Sequence, residues 1–252
     1  QFIKWGELFD FAIDKLGADV YATGHYADIK LENGIYKLYP AKDEHKDQLY
    51  FLYRLGQRHL SKTIFPLYHY NKTDVKQMAV DFDLPPKDSK ESQDICFIQK
   101  PMTTKKYLID KFGSVKGDFI DVLTGKKWGE HSGCYQYTIG QRKGLGISSS
   151  EALYVIELRK DTNEVVVGFK DKTFSDRLTA VDLNWIAIDK LEKEISCQAK
   201  IRSTQSPANV RVKPLDSGNI EVLFENMQKS IAPGQSVVLY DGDIVLGGGI
   251  IL

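Results

Sequence analysis

The sequence is short of cysteine, of net charge and of long apolar runs, and each shortage excludes something. Three cysteines, Cys96, Cys134 and Cys197, are odd in number and widely spaced. That fits neither the disulfide framework of a small secreted domain nor a zinc site built on Cys-x-x-Cys. A reducing cytoplasm is the expected compartment. Thirty-four basic residues balance thirty-four acidic ones, so attraction to nucleic acid by overall charge is excluded, and such binding has to come from local patches. No apolar run approaches the roughly 18 residues of a membrane span. The opening "QFIKWGELFDF" lacks the basic start, apolar centre and small-residue cleavage site of a signal peptide, so no export and no membrane association are expected. There is no internal repeat and no low-complexity tract.

What is present is enough apolar material for more than one core: 42% of 252 residues are hydrophobic and 27% are charged, and the length suggests about two domains. The opening predicts a helix, because Trp5, Leu8, Phe9, Ala12 and Leu16 form one apolar stripe that Gly17 is placed to end. "ADVYATGHYA" reads as a buried strand through Val20 and Ala22 that runs into Thr23 and Gly24. Helices are predicted from about Gln48 to Leu55 and from a Thr73 cap through Val75, Met78, Ala79 and Phe82, where "LPP" stops the second. "DICFI" is a strand candidate. This order is consistent with part of an open parallel sheet.

From about residue 103 the texture changes. "TTKKYLIDKFG" predicts a helix, a Gly-rich stretch with short β pieces follows, and "ALYVIELRKDTNEVVVGF" predicts a hairpin. The last portion is strand-like throughout. Ile195, Cys197, Ala199 and Ile201 share one face, and "SVVLYDGDIVLGGGI" is a hairpin around Asp241-Gly242, which together argue for a small antiparallel barrel or sandwich.

Several side chains are candidates for chemistry, each with a structural alternative. Cys197 falls on the inward face of a strand, and Cys134 has no partner by spacing; both read as structural. Cys96 follows a polar loop containing Lys87 and Lys90, but Ile95, Phe97 and Ile98 make both faces of its strand apolar, and Asp94 nearby would raise the thiol pKa. Periodicity alone favours burial. "ATGHYA" is either a tight turn with a satisfied histidine or a strand end where backbone approaches a nucleotide. "YTIGQRKGLGI" is not G-x-G-x-x-G; as a glycine-rich turn carrying Arg142 and Lys143 it suits contact with RNA backbone.

Taken together, "ATGHYA", "KDQLYFLY", "SQDICFI", "YTIGQRKGLGI" and "PGQSVVLYDGDIVLGGGII" stand in an order and spacing that resemble the tRNA-specific 2-thiouridylase family. The resemblance runs from about residue 2 to the end. It implies an α/β part of an adenine-nucleotide-binding parallel-sheet domain (1–102), a small α+β linker module that contacts tRNA (103–177) and a C-terminal antiparallel β-barrel (178–252). It implies an ATP-dependent sulfurtransferase, with Mg2+ accompanying ATP, that adenylates O2 of the wobble uracil and delivers sulfur from a cysteine persulfide. Cys96 matches the persulfide-bearing cysteine, Gly24 a backbone contact to ATP, and His25 a tRNA contact. Lys46, Asp47 and Gln48 match a tRNA-contacting triplet; Arg202, Ser203 and Gln235 match tRNA contacts on the barrel. No other metal site is implied. The implied partners are tRNA and a sulfur-relay protein or cysteine desulfurase as donor.

One departure is serious. The family's S-G-G-x-D-S loop and its second catalytic cysteine are not found in this sequence. The chain is therefore expected to be an N-terminally shortened form that holds ATP poorly and is inactive alone, and a non-catalytic tRNA-binding fragment is the alternative reading.

Overall fold

In the computed structural model, residues 2–85, 98, 101–216 and 218–252 are described. The chain forms two compact units. One comprises Gln1–Asp88, Asp176–Asn226 and Pro233–Leu252; the other comprises Ser89–Ser175 and Met227–Ala232. The strand expected at "DICFI", and Cys96 within it, lies outside the described residues.

The first unit opens with a helical stretch, but not the regular α-helix that the stripe predicts. A single α-turn, α1 (Leu8–Asp10), lies between wider π-type turns at Phe2–Glu7 and Phe11–Lys15. Wider turns lengthen the repeat, so Trp5, Phe9 and Ile13, four apart, stay against the core while Leu8 and Leu16 rotate outward to 50% and 69% exposure. Strand β1 (Tyr21–Ala22) pairs in parallel with β4 (Thr63–Ile64). Its inward residue is Tyr21, whose ring meets Trp5 at 5.4 Å and Phe9 at 5.5 Å; Val20 and Ala22, expected to be buried, are exposed. The large ring reaches the Trp5–Phe9 cluster, which fixes the strand's facing.

Between these strands in sequence lies an antiparallel hairpin, β2 (Asp28–Glu32) and β3 (Ile35–Tyr39), which is not among the expected elements. Asn33 and Gly34 at its tip have φ of 50° and 81°, the left-handed pair that a two-residue hairpin turn requires. The helix expected from Gln48 to Leu55 is a single turn, α2 (Leu49–Leu52), followed after Gly56 by α3 (Gln57–Leu60). In α4 (Lys72–Asp81) the capping residue is Asn71, not Thr73: the Asn71 N–H donates to the Asp74 carboxylate at 3.1 Å. Its stripe is only half covered, and Phe82 is exposed.

The same unit contains a closed antiparallel barrel of β9 (Phe174–Trp185), β10 (Ile195–Lys200), β11 (Ala208–Pro214), β12 (Ile220–Lys229), β13 (Ser236–Asp241) and β14 (Ile244–Ile251). Strand order is β10-β11-β12-β9-β14-β13, with β13 closing on β10. Alternation is plain in β11, where Val210 and Val212 point inward and Arg211 and Lys213 outward. One apolar cluster joins Trp5, Phe9, Leu52, Tyr53 and Phe65 to Val238, Tyr240 and Val245 of the barrel.

In the second unit, α5 (Thr104–Phe112) is capped by Thr103, whose hydroxyl accepts from Lys106 N at 3.2 Å, and ends at Gly113. A four-stranded sheet follows, β5 (Gly117–Asp121), β6 (Lys127–His131), β7 (Tyr154–Arg159) and β8 (Glu164–Gly168), in the order β6-β5-β8-β7. Phe119, Cys134, Leu145, Leu153, Val155, Val165 and Val167 form its core. Asn163, in the expected β7–β8 turn, accepts from Cys134 N and donates to the carbonyls of Val115 and Lys116. The fold class is therefore a parallel-strand N-terminal part, a middle α+β module and a C-terminal antiparallel barrel.

Candidate nucleic-acid interface

The segment "KDQLYFLY" does two jobs. Gln48 clamps the "ATGHY" block: its N–H donates to Tyr26 O at 3.0 Å, and its side-chain oxygen accepts from Tyr26 N at 3.0 Å. The apolar side of α2 docks on the barrel. Tyr50 Oη donates to Ser236 O at 2.9 Å, Tyr53 Oη lies 3.0 Å from Ser236 Oγ, and Asn184 Nδ2 donates to Tyr53 O at 2.7 Å. Gly248 explains part of the glycine run in β14. A Cβ there would stand 2.8 Å from the Tyr53 ring and closer still to the Val237 carbonyl, so only a bare backbone lets the ring approach.

Beside this junction a cleft of about 660 Å³ opens. Asp47, Lys200, Ser203, Gln205 and Tyr240 contribute to its lining. Asp47 and Ser203 are thus brought together from blocks far apart in sequence. Asp47 Oδ1 accepts from Leu49 N at 3.2 Å, while Oδ2 is buried without a hydrogen-bond partner. Burial pushes the carboxyl up to about 6, against the Leu49 hydrogen bond and the Lys200 charge, which pull it down. Tyr240 is 4% exposed and its hydroxyl is also without a partner. Burial first, and then the Asp47 charge, push that phenol above its ordinary range. Lys200 Nζ stands 5.6 Å from the centre of the Tyr240 ring. The lining is polar and of mixed charge, with His45 and Lys200 facing Glu44, Asp47 and Asp243 and with Ser203, Thr204, Gln205 and Ser206 between them, while the two orphaned polar atoms lie buried at its base.

Family models match in the same order as the fold. A tRNA methyl transferase HUP domain matches residues 1–100, a tRNA methyl transferase PRC-barrel domain 105–169, and an aminomethyltransferase β-barrel domain 175–251. The tRNA-specific 2-thiouridylase MnmA of Nostoc punctiforme is 43% identical over 251 residues, which cover 99% of this chain and 71% of that protein. That of Clostridium botulinum (strain Alaska E43) is 43% identical over 250 residues, 99% of this chain and 69% of that protein. That of Caldicellulosiruptor saccharolyticus is 44% identical over 248 residues, covering 97% and 68%. The chain belongs to the tRNA-specific 2-thiouridylase family.

In this thiouridylase-family chain the other expected site residues are spread out. His25 is half-buried, 2.7 Å from Thr23 Oγ1 through Nδ1, and packs near Trp5 and Phe65; burial and Lys4 hold its pKa below the usual value. Gly24 is exposed at the end of β1, with only Leu67 Cδ1 approaching a Cβ position, at 3.5 Å. Lys46 ends the short turn Glu44–Lys46, half-buried. Burial pushes the Tyr50 phenol up, against the pull of the nearby Arg202 charge, and exposed Gln235 adjoins Ser236, the residue that Tyr50 grips. These two belong to the Tyr50 side of the junction. Cys96 is outside the described residues.

Sequence reasoning missed Lys200 and Tyr240. The alternation of "SVVLYDG" puts Tyr240 on a face with Val238, and "QAKIR" puts Lys200 opposite Ala199, but neither pattern says that the two meet Asp47. Cys134 and Cys197 are free thiols. Burial, then Asp241, push Cys197 up to about 12, which leaves it protonated and inert as a nucleophile near neutral pH. No helix among the described residues is long and apolar enough to cross a membrane.

Proposed function

We propose that the chain belongs to a cytoplasmic tRNA-uridine 2-sulfurtransferase that forms 2-thiouridine at the wobble position, with modules 1–102, 103–177 and 178–252 sharing catalysis and tRNA binding. Its membership of the 2-thiouridylase family supports the activity. The observation that carries the RNA-binding part is the cleft where Asp47 and Ser203, matched separately to tRNA contacts, line one polar surface.

In this reading Asp47, Ser203, Arg202, Gln235, Lys46 and His25 hold the anticodon arm. Lys46 and Arg202 meet phosphates, and Asp47 accepts hydrogen bonds from base or ribose donors of an unstacked loop. Gln48, whose oxygen is spent on Tyr26 N, offers RNA only its amide N–H. ATP, with Mg2+, supplies the adenylyl group that makes uracil O2 a leaving group. Gly24 fits close approach of such a nucleotide because it is exposed and nothing but one Leu67 methyl crowds it. Cys96 carries a persulfide received from a sulfur-relay protein or desulfurase; its outer sulfur attacks C2 and the adenylated oxygen leaves as AMP, after which a second thiol attacks the Cys96 sulfur, breaking the S–S bond to leave the sulfur on the base and Cys96 in a disulfide. A persulfide is a better nucleophile than a thiol near neutral pH. The target base leaves its stack at a cost of a few kcal/mol, least in a single-stranded loop.

The test is formation of 2-thiouridine. Given tRNA, ATP, Mg2+ and persulfide sulfur, the chain joined to a segment that carries the S-G-G-x-D-S loop and the second cysteine is expected to thiolate tRNA, and Cys96→Ser in that protein to lower the rate by about a hundredfold or more, read by mass spectrometry of digested tRNA. Undiminished thiolation by Cys96→Ser sinks the role of that sulfur. Salt-sensitive tRNA binding without thiolation would favour the non-catalytic tRNA-binding reading.

A further inference from the structure

The loop of the second unit between Tyr137 and Leu153 is held from below by hydrogen bonds and packing and left unsatisfied above. Gly140 N donates to Val155 O at 2.8 Å and Val155 N to Gln141 O at 2.9 Å, which ties the loop to β7. The Gln141 side chain braces it from within, accepting from Thr138 N at 3.0 Å and donating to Lys143 O at 2.9 Å. Leu145 and Leu153 sink into the core. Gly144 and Gly146, with φ of 78° and 71°, flank Leu145 and make the turns that drive it inward.

On the outer side the chemistry is open. Among the described residues, the backbone N–H groups of residues 142 to 150 donate to no protein acceptor, and the exposed side chains of Arg142 and Lys143 pair with no acid. Ser149 Oγ is buried without a partner. A cavity of about 390 Å³ is lined by Arg142, Gly144, Gly146, Ser149, Ser150 and Glu151. Successive unpaired N–H groups at residues of alternating backbone hand form a concavity that favours anions.

We infer that this loop is a phosphate-binding site for RNA backbone, with Arg142, Lys143, Ser149 and the backbone N–H groups as donors. The inference rests on the proposal that the protein binds tRNA and adds a contact outside the Asp47 cleft. The tie to β7, the Gln141 brace and the buried Leu145 and Leu153 make the loop more than two surface cations, because they reduce what binding a phosphate must still order. Glu151 places one acid on the rim and weakens the site.

The experiment is tRNA binding by the intact chain as a function of salt, with an unmodified tRNA transcript as probe. For Arg142→Gln/Lys143→Gln the slope of log K against log salt is expected to fall by about 1.4 to 1.8, with affinity reduced about tenfold or more near 0.1 M salt. Arg142→Lys/Lys143→Arg is expected to keep the slope, and Glu151→Gln to tighten binding about twofold, which a purely structural role for the loop would not produce. Wild-type binding with an unchanged slope in the Gln/Gln variant overturns the inference and leaves the RNA reading standing. Absence of salt-dependent tRNA binding by the unaltered chain overturns both. ATP binding that the Gln/Gln variant loses while tRNA binding persists would assign the loop to a free nucleotide and overturn the RNA assignment.

Discussion

Asp47, the carboxyl proposed to meet tRNA, carries a cost in stability. A carboxyl with one oxygen buried and unpartnered destabilises the chain whenever it is charged. Its folded pKa of about 6 lies above the ordinary value of 3.8, so the folded state binds the proton more tightly than the unfolded state. Stability is therefore lost as pH rises from about 4 to about 6, and the cost is complete above that. Asp47→Asn keeps the acceptor for Leu49 N and removes the charge. After discounting for solvent screening of a partly exposed group, the variant is expected to be roughly 1–2 kcal/mol more stable than wild type at pH 8 and equal to it at pH 3.5. Urea unfolding at the two pH values measures this; an equal difference at both would mean that the charge carries no cost.

At the scale of elements, the junction between α2 and the barrel depends on Gly248. The atoms a Cβ would meet are the Tyr53 ring and the backbone of β13, and the latter has no rotamer to escape into. Gly248→Ala is expected to cost about 1–3 kcal/mol by overpacking, read as a lowered urea midpoint; an unchanged midpoint would show that the ring is not seated as described. The elements also show what a sequence reveals. The barrel strands were legible because inward and outward residues alternate, as at Val210, Arg211 and Val212. α5 was legible because Thr103 and Gly113 mark its ends. The N-terminal helix was read with the wrong period, since Trp5, Phe9 and Ile13 follow the wider turns and Leu8 and Leu16 do not. Tyr21 was overlooked because alternation alone does not tell which face a large ring will find. Asn33-Gly34 is itself a turn signal, because both residues tolerate the positive φ that a two-residue hairpin loop requires.

At the scale of the whole molecule, the candidate site was legible in parts and not as a place. Motif resemblance singled out Asp47 and Ser203, but only the fold shows that they share a cleft, and Lys200 and Tyr240 carry no local mark of belonging to it. Contacts that join residue 47 to residue 240 are set by how α2 packs on the barrel, and no spacing rule encodes that. The central claim is that this cleft receives tRNA. Hydrogen exchange of the backbone with and without a tRNA transcript tests it most directly. The account predicts slowed exchange on tRNA addition at residues 44–49 and 200–207 together; bound tRNA that leaves both segments exchanging at their free rates would contradict it.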